Sequence, residues 1–169
     1  MKYVAITAAF LAGMITGMSV FSRAADLYLD INGFSRHSQT HYTYQGERQA
    51  YNADNAGLGL TKQLTDGVDL MAGFYKNSFH KPSIYAGANF HINFLSGMYA
   101  LRPGVSVGLV SGYDNTPDHT GMVRLCVLPN IRASIQNLGV KVGYVPAIGG
   151  SRGNVAVSVL TVQFQYQIN

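Results

Sequence analysis

One cysteine, Cys126, and no tryptophan are the clearest shortages in this 169-residue chain. A single thiol excludes a disulfide within the chain and any cysteine-built metal site, so the fold must hold without covalent staples. Without tryptophan, an aromatic belt at a membrane interface would have to come from tyrosine and phenylalanine. Charge of one sign is also scarce. Beyond residue 24 there are 10 basic and 8 acidic residues, a net +2, too small to suggest a nucleic-acid partner. Tandem repeats and low-complexity tracts are absent.

The front of the chain does hold a long apolar run. Lys2 gives a short positive start, Val4 to Phe21 is almost uncharged, and Ser22-Arg-Ala24 ends in small residues at the spacing a signal peptidase accepts. Residues 1–24 therefore read as a signal peptide, and residues 25–169 as one exported domain large enough for a single core. No later run approaches the length of a spanning helix. Secretion, the periplasm and an outer-membrane barrel remain.

What is there instead is alternation. Along Asp69-Leu-Met-Ala-Gly-Phe-Tyr-Lys-Asn-Ser78, Val68, Leu70, Ala72 and Phe74 share one face while Asp69, Met71, Gly73, Tyr75 and Asn77 share the other. That period of two is the signature of a pleated strand. Eight such segments occur, near Leu27 to Phe34, Asn55 to Gln63, Val68 to Asn77, Ser83 to Phe94, Val105 to Tyr113, Gly121 to Asn130, Leu138 to Val145 and Asn154 to Ile168. The links Leu64 to Gly67 and Arg132 to Asn137 are tight. Those at His37 to Asp54, Ser78 to Pro82, Asp114 to Thr120 and Ala147 to Gly153 are longer and more polar, and Leu95 to Gly104 is the exception. An even strand count with short turns at one end and long loops at the other predicts an all-β fold: an eight-stranded antiparallel up-and-down transmembrane β-barrel. A soluble barrel would put the oily residues inside and the polar ones in water.

In a membrane barrel the apolar face meets lipid and the polar face lines the lumen. The near, periplasmic half of the lumen then receives Asp30, Asn32, Asp69, Asn89, His91, Asn93, Lys141, Gln163 and Gln165, a polar plug able to satisfy itself by hydrogen bonds. The outer half receives Phe34, Met71, Tyr75, Tyr85, Met122, Val145, Val155 and Val157, interspersed with small residues. An eight-stranded barrel is just wide enough to be filled by its own side chains or to hold one small ligand. The outer half either packs on itself or accepts an acyl chain.

At the outer rim, strand direction gathers His37, Tyr51-Asn52 and Asn77-Ser78. A histidine beside a serine hydroxyl is the minimum for base-assisted acyl transfer. Strict alternation sends His37 outward, and a bulge at Gly33 would reverse that. His41 and His80 are alternative bases or solvated loop residues, and neither has a metal-ligand spacing with a carboxylate. Arg36, Arg48, Lys76, Lys81 and Arg152 fall near the same rim, where lipid phosphates would lie; arginine suits bidentate phosphate contact.

Asp26-Leu-Tyr-Leu with the strand-end His37, Ala50-Tyr-Asn-Ala with Gly57-Leu-Gly59, Gly73-Phe-Tyr-Lys-Asn-Ser78, and more weakly Leu138-Gly-Val-Lys-Val-Gly-Tyr-Val-Pro-Ala147 and Gly153-Asn-Val155, resemble the lipid A palmitoyltransferase family of outer-membrane barrels. The likeness covers most of the chain beyond residue 24 at sparse identity. It implies a monomeric outer-membrane acyltransferase without cofactor or metal, moving a phospholipid acyl chain to lipid A of lipopolysaccharide. The implied trio falls on His37, Asn77 and Ser78; the outer lumen and rim described above add Tyr75, Met71, Tyr85, Phe34, Met122, Arg36 and Lys76 as substrate-side residues. The family has Asp where this chain has Asn77, which cannot present a negative charge to an imidazolium. In the serine-protease example that exchange reduces turnover about ten-thousand-fold. Asp54 and Asp114, both on exterior loops, are the carboxylates available to take its place. The alternative is a non-catalytic barrel whose exterior loops bind or mask surface partners.

Overall fold

A computed structural model describes residues 26–114, 123–147 and 157–168. The expected signal peptide at residues 1–24, together with Met122, Arg152 and Val155, lies outside the described residues. Ten strands follow in chain order: β1 (Leu27–His37), β2 (His41–Tyr44), β3 (Glu47–Ala50), β4 (Asp54–Thr65), β5 (Val68–Lys76), β6 (Pro82–His91), β7 (Tyr99–Ser111), β8 (Val123–Ile135), β9 (Leu138–Val145) and β10 (Val159–Gln167). Eight of them close an antiparallel barrel in the order β1-β10-β9-β8-β7-β6-β5-β4, and β2 with β3 form a separate hairpin. The fold is an all-β, eight-stranded up-and-down barrel.

Its register fixes its shape. Starting from Tyr99 and moving strand to strand, the paired residues are Ile135, Leu138, Tyr166, Leu29, Leu60, Ala72, Ala86 and finally Leu109, back on β7 but ten residues farther along. A stagger of ten around eight strands about 4.8 Å apart tilts them by about 40°, within the range of membrane barrels. Every residue on that path faces outward, and many of the outward side chains are large and exposed, among them Ile31, Phe74, Phe90, Leu109, Leu125, Val127, Ile131 and Phe164. Tyr99 and Leu109 are separated by about 25 Å along the barrel axis, the height of the apolar band that a lipid-facing barrel needs.

The inward faces are polar where the sequence predicts it. Asp30 is fully buried and accepts hydrogen bonds from Thr61 Oγ1 at 2.6 Å and Gln165 Nε2 at 2.7 Å. Asn89 Oδ1 accepts from Ser106 Oγ at 3.0 Å and Asn130 Nδ2 at 2.9 Å, and Asp69 Oδ2 lies 3.4 Å from His91 Nδ1. Buried Arg132 sets its guanidinium 3.9 Å above the Tyr28 ring. These groups fill the lumen at the end carrying the short turns. Asn93 is not among them: it sits in the β6–β7 turn and donates to Asp66 O at 2.7 Å.

Three stretches differ from expectation. The long link after His37 contains the β2–β3 hairpin, whose polar strands carry no apolar face to announce them. Leu95 to Gly104 is mostly strand, because β7 starts at Tyr99, and β8 continues past Asn130 to Ile135. Pro103, Gly104 and Pro129 break the sequence pattern without breaking the ladder between these two strands.

Candidate functional site

β1 decides which way the histidine points. Asn32 pairs with Gln163 and Gly57, Phe34 pairs with Val162 and Asp54, and Gly33 is left over as a bulge. A Cβ at Gly33 would come within 3.0 Å of Val162 O and 3.1 Å of a Phe164 ring carbon, so a larger residue there would have to push the facing strand by a few tenths of an ångström. The extra residue reverses the faces beyond it. Ser35 and His37 turn inward, while Phe34, 51% exposed, and Arg36 turn outward. Phe34, a lumen residue by strict alternation, sits on the outer face and still borders the cavity.

Ser78 stands in the turn that follows β5. His37 Nε2 and Ser78 Oγ are 2.8 Å apart. In the tautomer protonated at Nδ1, Nε2 accepts the hydroxyl hydrogen. The His37 ring lies against Tyr51, with centroids 4.3 Å apart and planes 3° from parallel. Asn52 ties the same segment down: its backbone N–H donates to Ser78 O at 2.8 Å and its Nδ2 to Asn77 O at 3.0 Å.

Asn77 has a different occupation from the one the trio assigns it. It is fully buried, Oδ1 accepts from Phe79 N at 2.9 Å and Lys81 N at 3.0 Å, and Nδ2 donates to Gly112 O at 2.7 Å and Ser83 Oγ at 3.0 Å. Both of its polar atoms are committed to holding the turn and joining it to β6 and the end of β7. Among the described residues no carboxylate lies within 4.0 Å of the His37 ring nitrogens. Asp54 and Asp114 do not reach it. His41 Nδ1 pairs with Thr40 Oγ1 and His80 Nε2 with Ala50 O, so neither serves as a second base at Ser78.

Below the pair is a cavity of about 540 Å³, bordered by Met71, Tyr75, Tyr85, Cys126, Leu128, Val145 and Val157, with Lys141 and Gln163 toward its floor. Met71, Tyr75 and Tyr85 are thus where the sequence puts them. Tyr75 and Tyr113 hydroxyls are 3.0 Å apart; Gln163 Nε2 reaches Asn32 Oδ1 at 2.9 Å and the Tyr85 hydroxyl at 3.3 Å. Seven residues separate Met71 from Ser78, a depth of about 18 Å at this tilt. Tyr42, Tyr51 and Phe79 cover the mouth, with Tyr42 edge-on to Phe79 at 4.9 Å. Sequence reasoning left this aromatic cover out, since the rings meet only after the β2–β3 hairpin folds back.

The wall beside the cavity has a seam. Among the described residues the β8–β9 ladder stops at Asn130–Gly143. Ile92 N donates to Pro103 O and Gln136 N to Met98 O, each at 3.0 Å, which fixes odd-numbered β8 residues as those whose backbone groups face β9. Pro129 is one of them and has no N–H to offer. Continuing the register, Val127 would meet Pro146, which also lacks one. Leu125 and Val127, 68% and 52% exposed on the outer face, are also among the residues that border the cavity.

Arg36 and Lys76 stay exposed on the outer side of the same rim, and Lys81 Nζ donates to Asp114 O at 2.6 Å. Among the described residues no three His, Cys, Asp or Glu side chains converge as a metal site requires.

No protein-family model matches the chain, and no curated protein does. Solved structures do. The de novo designed TMB2.3 is similar at 16% identity and a TM-score of 0.50, covering 87% of this chain and 98% of the designed one. The N-terminal β-barrel domain of Pseudomonas aeruginosa OprF is similar at 23% identity and a TM-score of 0.44, covering 83% of this chain and 97% of that domain. At these identities the likeness is one of fold.

Proposed function

We propose that this barrel resides in an outer membrane and is a lipid acyltransferase of the lipid A palmitoyltransferase type. The observation that carries the reading is the His37–Ser78 pair, 2.8 Å apart, at the mouth of a deep cavity. An acyl chain of a phospholipid slips through the β8–β9 seam into the cavity, leaving its ester carbonyl at the pair. His37 Nε2 takes the proton of the attacking hydroxyl and returns it to the departing glycerol oxygen, so one ester bond breaks as another forms. Arg36 and Lys76 stand outside the rim, where phosphates of lipid A would be met.

Membranes containing the folded protein should yield lipid A heavier by one acyl chain in mass spectra. Ser78→Ala and His37→Ala should each remove the heavier species. An unchanged wild-type spectrum would refute transfer to lipid A.

A second reading, a non-catalytic barrel that binds or masks surface partners through its exterior loops, is favoured by one observation. Asn77 is consumed by its turn and, among the described residues, His37 has no carboxylate beside it. Under that reading the two substitutions leave the lipid spectrum as it was and only loop variants change the phenotype.

A further inference from the structure

An imidazole can serve as a base only while its ring is held in one orientation, and in serine-histidine sites a carboxylate on Nδ1 usually does the holding. Here Asn77 is engaged elsewhere and no carboxylate approaches among the described residues. What does approach is a ring face. We propose that Tyr51 is the positioning residue of the His37–Ser78 pair, its parallel stack holding the imidazole with Nε2 on the Ser78 hydroxyl.

Turning the His37 ring about its outer side-chain bond would drive an edge into the Tyr51 face, since the planes are 3° from parallel with centroids 4.3 Å apart. Tyr51 is itself braced by other rings. Tyr42 lies 4.9 Å and Phe79 5.7 Å from it, ring to ring, and its backbone N–H donates to Thr40 O at 3.0 Å. The next residue bonds the backbone of Ser78. One short segment therefore orients the base and anchors the residue carrying the hydroxyl, so the two groups cannot drift apart independently.

This inference rests on the acyl-transfer reading for its consequence, and its test separates the two. In detergent micelles with labelled histidine, the His37 ring protons should resonate upfield in the wild type and in Tyr51→Phe, and move downfield in Tyr51→Leu. His37→Gln supplies the assignment. A resonance that ignores Tyr51→Leu overturns the proposal whatever the activity. On the kinetic side, Tyr51→Leu should lower kcat by about 10- to 100-fold while leaving KM for the phospholipid donor within about twofold. Tyr51→Phe should recover the rate to within about threefold. Equal losses in the two variants would overturn stacking as the cause, and a loss confined to KM would make Tyr51 a donor contact instead. A wild type without acyl transfer would sink the enzyme reading, and the resonance arm would still decide whether Tyr51 fixes the ring.

Discussion

At the level of single residues, the most instructive is Asn77. Sequence comparison with an Asp-Ser pair invites the idea that restoring the acid would restore a triad. The hydrogen bonds point the other way. A carboxylate keeps the two acceptor contacts to Phe79 N and Lys81 N but cannot donate to Gly112 O, and it would face that carbonyl with like charge. Asn77→Asp should therefore destabilise the fold by about 1–3 kcal/mol and should not raise acyl transfer; urea unfolding from micelles measures the first and lipid mass spectra the second. A more active and equally stable variant would show that the residue serves the imidazole after all. None of this was legible in the sequence, because the partners Ser83 and Gly112 lie 6 and 35 residues away and become neighbours only when the barrel closes. Gly33 is the contrary case. Alternation from Leu29 points His37 outward, a useful lumen histidine must point inward, and a glycine between them resolves the conflict.

At the level of elements, β8 and β9 are unlike the other neighbours. At the top of β6 a missing ladder bond is replaced by a side chain: Ile84 N–H donates to Ser111 Oγ at 3.1 Å. Between β8 and β9, the register carries Pro129 and Pro146 to positions where each removes a donor the facing strand would use. Pro129→Val with Pro146→Val should zip the ladder upward, add about 1–3 kcal/mol of stability, and slow transfer from phospholipid donors. Transfer as fast with the ladder closed would overturn the seam as the proposed entrance for lipid. The seam could not be read beforehand, since a proline in a strand shows which donor is lost but only the register shows what faces it. The β2–β3 hairpin escaped for a related reason, its strands being joined through backbone bonds at a Gln45-Gly46 turn of positive φ and not by an oily face.

At the level of the whole molecule, the alternation of oily and polar residues carried nearly all the architecture: strand number, closure, the direction of each face and the polar lower lumen. The same alternation predicts depth-dependent tolerance on the outer wall. Phe164 lies near mid-height, and Phe164→Arg should cost about 2–4 kcal/mol in a bilayer, whereas Leu125→Arg near the rim should cost about 0–1 kcal/mol. Refolding titrations into vesicles measure both, and equal costs would mean that the exposed band is not facing hydrocarbon. The seam adds something that alternation alone could not. Among the described residues it begins about halfway up, while below it the β8–β9 ladder is continuous. If lipid enters by this seam, as proposed above, lipids in the monolayer around the short turns meet a continuous wall, and only those in the opposite monolayer find an entrance.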